Sequence, residues 1–119
     1  MKGWSRSLAL TDARSLGFLA SIHPTMVVHA WAAWNREDGW LDRSLESLQR
    51  DPGVRIQFYG IDIDQPENFD WAAQLGIIQV PSLVIYTEGE LRGMVAGHRS
   101  LGELRRILDP LIRGPRPLR

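Results

Sequence analysis

Met26-Val27-Val28-His29-Ala30-Trp31 runs directly into Ala32-Ala33-Trp34-Asn35. The first six residues form an apolar run too short for a comfortable helix and rich in strand formers. Such a run suits a central strand covered on both faces, which needs no polar–apolar alternation. Downstream, Trp40, Leu41, Leu45 and Leu48 recur at helical spacing, with Asp42, Arg43, Glu46 and Arg50 between them. That pattern predicts an amphipathic helix stopped by Asp51-Pro52-Gly53. Val54, Ile56 and Phe58 then alternate as in a strand, while Ile61 and Ile63 continue on the other parity. Either Gly60 marks a bulge or this strand too is buried on both faces, and we read the second. Strand, helix and strand in that order imply a parallel pair joined by a right-handed crossover.

The flanks complete an α/β domain. Upstream, Thr11-Asp12 can cap a first helix reaching about residue 21, with Leu16, Phe18 and Leu19 partly inward, ended by His23-Pro24. Residues 66–75 read as a short helix with Phe69, Ala72, Ala73 and Leu75, closed by Gly76. Residues 82–86 and 91–96 flank Thr87-Glu88-Gly89-Glu90, an antiparallel hairpin signal. Ser100 and Glu103 make a capping box ahead of a stripe of Leu101, Leu104, Ile107, Leu108, Leu111 and Ile112. One domain over residues 1–113 is expected, with a short extended tail over 114–119.

Composition narrows the function classes. A chain of 119 residues can close a hydrophobic core, and 44% hydrophobic with 24% charged residues is ordinary for a globular protein. Fourteen basic and fourteen acidic residues leave a formal net charge of zero, so no global field draws in nucleic acid or a membrane surface. The opening Met1-Lys2-Gly3-Trp4-Ser5-Arg6 leads only to Leu8-Ala9-Leu10, too short an apolar run for a signal peptide, and a cytoplasmic location is expected. The absence of cysteine excludes disulfides, thiolate metal sites and a cysteine nucleophile from this chain. His23, His29 and His98 lack short metal-ligand spacing, and no cofactor is expected.

Several motifs in register resemble the thioredoxin-like family. Val27-Val28-His29-Ala30-Trp31-Ala32-Ala33-Trp34 is similar to the strand and tryptophan-rich turn that precede its redox motif. Ile61-Asp62-Ile63-Asp64 resembles the end of its next strand, and Gly76-Ile77-Ile78-Gln79-Val80-Pro81-Ser82-Leu83 the segment leading into its cis-proline. Glu88-Gly89-Glu90 matches the hairpin turn, and Ala96-Gly97-His98 the glycine facing the active site. The resemblance spans residues 26–112. It implies a thioredoxin-like fold, a central mixed parallel and antiparallel sheet flanked by helices, with a cis bond before Pro81.

The departures fall where that family's chemistry lies. Aligned on Trp31 and Trp34, Asn35-Arg36-Glu37-Asp38 stands where the family carries Cys-Gly-Pro-Cys. His29 takes the place of its buried aspartate, Gly60 that of the accompanying lysine, and Arg43 that of the helix-kinking proline. What the resemblance preserves is the peptide-binding surface: Trp34, Asn35 and Arg36, with Gln79, Val80, Pro81, Ala96, Gly97 and His98. It implies a redox-inactive, accessory or chaperone-like module that holds a protein or extended peptide. Other readings are a structural subunit, an enzyme using Asp62, Asp64 or His98, or a redox partner borrowing cysteines from another subunit. A further one follows from Gly89-Glu90-Leu91-Arg92-Gly93 with Gly97-His98, loosely similar to the hairpin of cysteine-free accessory proteins of hydrogenase maturation.

Each candidate residue also has a plain structural reading. Asn35 or Asp38 can cap the helix, and Glu37 and Asp38 suit its positive end. His29 reads as a lone, satisfied core histidine, and Asp62 with Asp64 as a solvated strand end. Trp31 and Trp71 read as core and Trp34 as exposed, while Trp4 and Trp40 are undecided.

Overall fold

The computed structural model describes residues 4–112, so the tail expected over 114–119 lies outside the described residues. Along the chain the elements are β1 (Ala9–Thr11), α1 (Leu16–Ile22), β2 (Thr25–Trp31), α2 (Arg36–Arg50), β3 (Gln57–Asp62), α3 (Pro66–Leu75), β4 (Ser82–Thr87), β5 (Glu90–Ala96) and α4 (Leu101–Ile112). The five strands make one sheet in the order β1-β3-β2-β4-β5. β3 runs parallel to both β1 and β2, whereas β4 is antiparallel to β2 and β5 to β4.

β2 holds the centre, and its composition explains why. Val27 joins Leu41, Leu45, Leu48, Phe58, Leu83, Leu104 and Leu108 on the face covered by α2 and α4. Met26, Val28 and Ala30 join Leu16, Ala20, Ile61 and Val84 on the opposite face, against which Trp71 and Leu75 of α3 also pack. A strand buried on both sides has no use for alternation, and this one shows none. The register of β2 with β3 runs unbroken from Met26↔Gln57 to Trp31↔Asp62, so Gly60 sits within a regular ladder. Its lack of a side chain serves packing, because a Cβ there would stand 2.8 Å from Nε1 of Trp31. The capping box holds α4 as expected: the Ser100 N–H donates to Glu103 Oε1 at 3.0 Å, and the Glu103 N–H to Ser100 Oγ at 3.2 Å.

The N-terminal region departs from its sequence reading. Residues 9–11 form an edge strand, Ala9↔Tyr59 to Thr11↔Ile61, where a helix start was expected. Three residues carry no period to read, and what holds them lies far off in sequence. The Ser7 N–H donates to Asp42 Oδ2 at 2.7 Å, and the Leu8 N–H to Asp42 Oδ1 at 3.4 Å. Asp12 instead closes a turn, its Oδ1 accepting from the Ser15 N–H, and α1 begins only at Leu16. Phe18, expected inward, is 66% exposed, and Ala20 takes the buried position beside Leu16. Among the described residues no helix is long and apolar enough to cross a membrane.

Candidate functional site

After β2 the chain turns, with the Asn35 N–H donating to the Ala32 carbonyl at 3.1 Å, and enters α2 at Arg36. Asn35 has the extended backbone of an N-cap but makes no side-chain cap bond. Asp38 does not serve the helix end either. Helical side chains lean towards the N-terminus, and from position 38 that direction leads back under the turn to the sheet. Its Oδ1 lies 2.8 Å from Nε2 of His29, and its Oδ2 accepts from the Ala32 N–H at 2.9 Å and Asn35 Nδ2 at 3.1 Å. Asp38 and His29 are both fully buried. The capping role expected for Asn35 or Asp38 is therefore replaced by a cross-link between α2 and the central strand.

His29 is in the core but not alone. A carboxylate only accepts, so the shared hydrogen belongs on Nε2 of His29, and its Nδ1 finds no partner among the described residues. The Trp4 ring stacks against the imidazole at 6.4 Å and 18°, while its Nε1 donates to the Ala32 carbonyl at 3.3 Å. Gly39 makes this possible, since a Cβ there would stand 2.9 Å from Trp4. One turn along α2, Asp42 pins the same N-terminal segment through Ser7 and Leu8. Asp42, one of the polar residues between the apolar positions of the helical pattern, is buried. A signal existed, because Asp38, Leu41, Asp42, Leu45 and Leu48 share one stripe, and acids on an apolar stripe require partners.

The network reaches the surface through Asn35. Its amide nitrogen has two hydrogens, one for Asp38 and one donated to the Val80 carbonyl at 3.1 Å. Val80 precedes Pro81 through a cis peptide bond. Pro81 is buried, and its carbonyl accepts from the Gly97 N–H at 2.8 Å. Ser82 Oγ donates to the Gln79 carbonyl at 2.8 Å, and Ala96 pairs with Ser82 in the ladder. Trp40 lies edge-on to His98, with ring centroids 6.0 Å apart, a rim residue that sequence reasoning left undecided. The fold thus joins the turn after β2, the loop before β4 and the loop after β5 into one lip. Trp34 stands on the turn at 67% exposure, beside exposed Arg36, and Ile78 on the second loop is 93% exposed.

A cleft of about 700 Å³ lies elsewhere, between the N-terminal segment and the start of α3, and none of these lip residues lines it. There Arg6 covers the indoles of Trp31 and Trp4, at 4.8 and 5.7 Å. Asp62 and Asp64 do not converge on a common target, since Oδ1 of Asp62 accepts from the Asp64 N–H. Among the described residues no three acidic or histidine side chains cluster closely enough to hold a metal.

No protein-family model matches the chain. Thioredoxin of Listeria monocytogenes is 26% identical over 82 residues, covering 69% of this chain and 78% of the relative. Thioredoxin of Bacillus subtilis is 24% identical over 103 residues, covering 86% and 97%. Among solved structures, a variant of thioredoxin from Halobacterium salinarum superposes with a TM-score of 0.79 at 22% identity, over 94% of this chain and 95% of that one. Thioredoxin of Malassezia sympodialis gives 0.73 at 20% identity, over 88% and 90%. The chain is thioredoxin-like. It is also a cysteine-free thioredoxin-like chain, so it holds neither a thiolate nucleophile nor a resolving thiol for dithiol exchange. Gly60 lies under the Trp31 indole, which leaves no room for the lysine the resemblance implies there.

Proposed function

We propose that this thioredoxin-like chain works by binding: it holds an extended segment of a partner protein at the lip formed by Trp34, Val80-Pro81 and Gly97-His98, without redox chemistry. The observation that carries this reading is the contrast at the lip itself. Its loops are tied to one another by Asn35–Val80 and Gly97–Pro81 hydrogen bonds, yet Trp34 and Ile78 stay exposed beside them. A rigid frame with apolar side chains left outside is what a binding surface requires, since little ordering cost remains to be met on association. An extended segment can match loop backbone groups with its own and seat a side chain against the indole. Asn35 takes an inward role in this reading, because its amide already engages Val80.

The test is binding of a partner recovered by affinity capture and then purified. An exposed aromatic anchor can contribute upwards of about 2 kcal/mol, so Trp34→Ala should weaken that complex more than tenfold while the far-UV spectrum stays unchanged. A comparable loss from Arg105→Ala with Arg106→Ala, and none from Trp34→Ala, would move the interface to α4 and overturn the reading. Purified protein should leave thiol-driven disulfide reduction at its background rate.

A further inference from the structure

The charges around the lip are not those of the chain as a whole. Three ion pairs occur among the described residues, joining Arg14 to Glu67, Arg50 to Glu46 and Arg105 to Asp51. None involves Arg36, Arg43 or Arg99. Arg36 opens α2, and Arg43 follows at the i+7 position of the same exposed face, with Trp40 between them. Arg99 sits next to His98, with one guanidinium nitrogen donating to the His98 carbonyl at 3.1 Å. Against these three cations the rim sets Glu37. Glu103 lies beyond, bonded to the Ser100 N–H and lying in the field of both Arg99 and Arg106. The acids Asp62, Asp64 and Glu67 belong to the β3–α3 side, across the sheet from β4 and β5.

We infer that the lip is built for an acidic extended segment of a partner protein, with Arg36, Arg43 and Arg99 meeting its carboxylates and Trp34 its apolar side chain. This rests on the binding reading above and adds the chemistry of the occupant. Arginine donates in a planar fork that fits a carboxylate; Arg36 and Arg43 pair with no carboxylate among the described residues, and Arg99, which uses one N–H on the His98 carbonyl, keeps further donors for one. In a chain of zero net charge, a local excess of cations beside an exposed indole gives charge complementarity to one class of segment.

The experiment selects random short peptides displayed on phage against immobilised protein, with Trp34→Ala protein as counter-target. Enriched sequences should be rich in Asp and Glu around an apolar or aromatic residue. A synthesised representative should bind at least about tenfold more weakly to Arg36→Glu/Arg43→Glu protein, and more weakly as salt is raised. Both positions are exposed on α2, so the fold should persist; Arg99→Gln is an independent second variant. Peptides that depend on Trp34 but show no acidic bias and no response to charge reversal would overturn this inference while leaving the binding reading intact. Failure to enrich any Trp34-dependent peptide would overturn both. Self-association abolished by Trp34→Ala would place a second copy in the lip and overturn the acidic segment.

Discussion

Residues 34–38 divide into an inner and an outer set with opposite physical roles. Asn35 and Asp38 turn inward, where three N–H donors converge on one buried carboxylate and a fourth hydrogen bond ties the turn to Val80. Trp34 and Arg36 turn outward and, among the described residues, make no hydrogen bond or ion pair. Where the resemblance places a reactive dithiol, this chain has a structural cross-link on one side and an exposed surface on the other. The helix start is held without a disulfide, because polar groups fix it. Stability and binding should therefore be separable by mutation within five residues.

The largest effect is expected at Asp38. Removing this buried acceptor leaves three N–H donors without it, at about 1–3 kcal/mol for each that stays unsatisfied. Asp38→Ala should lose that much in urea unfolding, stranding Nε2 of His29 and the Ala32 N–H together. Asp38→Asn retains the shape but turns one acceptor into a donor facing N–H groups, so it should fall between. A loss below about 1 kcal/mol for Asp38→Ala would show that the inner set is not structural, and the contrast would collapse.

Asp42 gives the next step down. It is equally buried but serves two backbone N–H groups at the start of the N-terminal segment, and the Ser7 end of that segment borders solvent. Asp42→Ala should cost about 1–3 kcal/mol, the price of leaving such donors unmade. Hydrogen exchange should rise first at the Ser7 and Leu8 amides, with the amides of β2 still protected. Uniform loss of protection through β2 would mean that the segment is integral to the core.

What the sequence disclosed follows from the range of the interactions involved. The β2 run, the α2 stripe, the hairpin and the α4 box are written in neighbouring residues, and each is observed. The positions of Trp34, Val80-Pro81 and Gly97 at one lip were legible through the order of motifs along the chain. The His29–Asp38 pair was not foreseen, because nine residues and a turn separate its members and neither is unusual alone. Read together, an apolar strand with one histidine and an apolar helix stripe with two acids each needed a buried partner. β1 and the Asp42 contacts were beyond reach for a different reason: a bond spanning 35 residues leaves no local trace.

The outer set should register almost nothing in stability. Trp34→Ala and Arg36→Ala remove side chains that no described neighbour depends on, so the free energy of unfolding should change by less than about 0.5 kcal/mol. Calorimetry on the free variants decides this, and a loss of about 2 kcal/mol or more at Trp34 would show that the indole packs against the fold instead of waiting for a partner. The same variants carried into the binding assay complete a double dissociation: Asp38→Asn weakens the fold, and Trp34→Ala weakens the complex.

The smallest effect sharpens the comparison by changing only burial. Glu103 resembles Asp38 in bonding a backbone N–H near the start of its helix, but its carboxylate is fully exposed. The hydrogen bond from the Ser100 backbone holds its pKa below the ordinary glutamate value, aided by the Ser100 hydroxyl and by Arg99 and Arg106. A depressed folded pKa means that the unfolded chain binds more protons between the two values. The stabilisation is therefore complete above the unfolded pKa of roughly 4.3 and is lost as pH falls through the folded value. Glu103→Gln keeps an acceptor for the Ser100 N–H but cannot titrate, so the variant's stability should decline less steeply than wild type across that acid window. Above it the two curves should run parallel, with wild type slightly higher. Identical curves at every pH would mean that water screens the Glu103 bond completely. The carboxylate-to-backbone contacts of Asp38 and Asp42 would then differ from that of Glu103 in energetic weight as well as in burial.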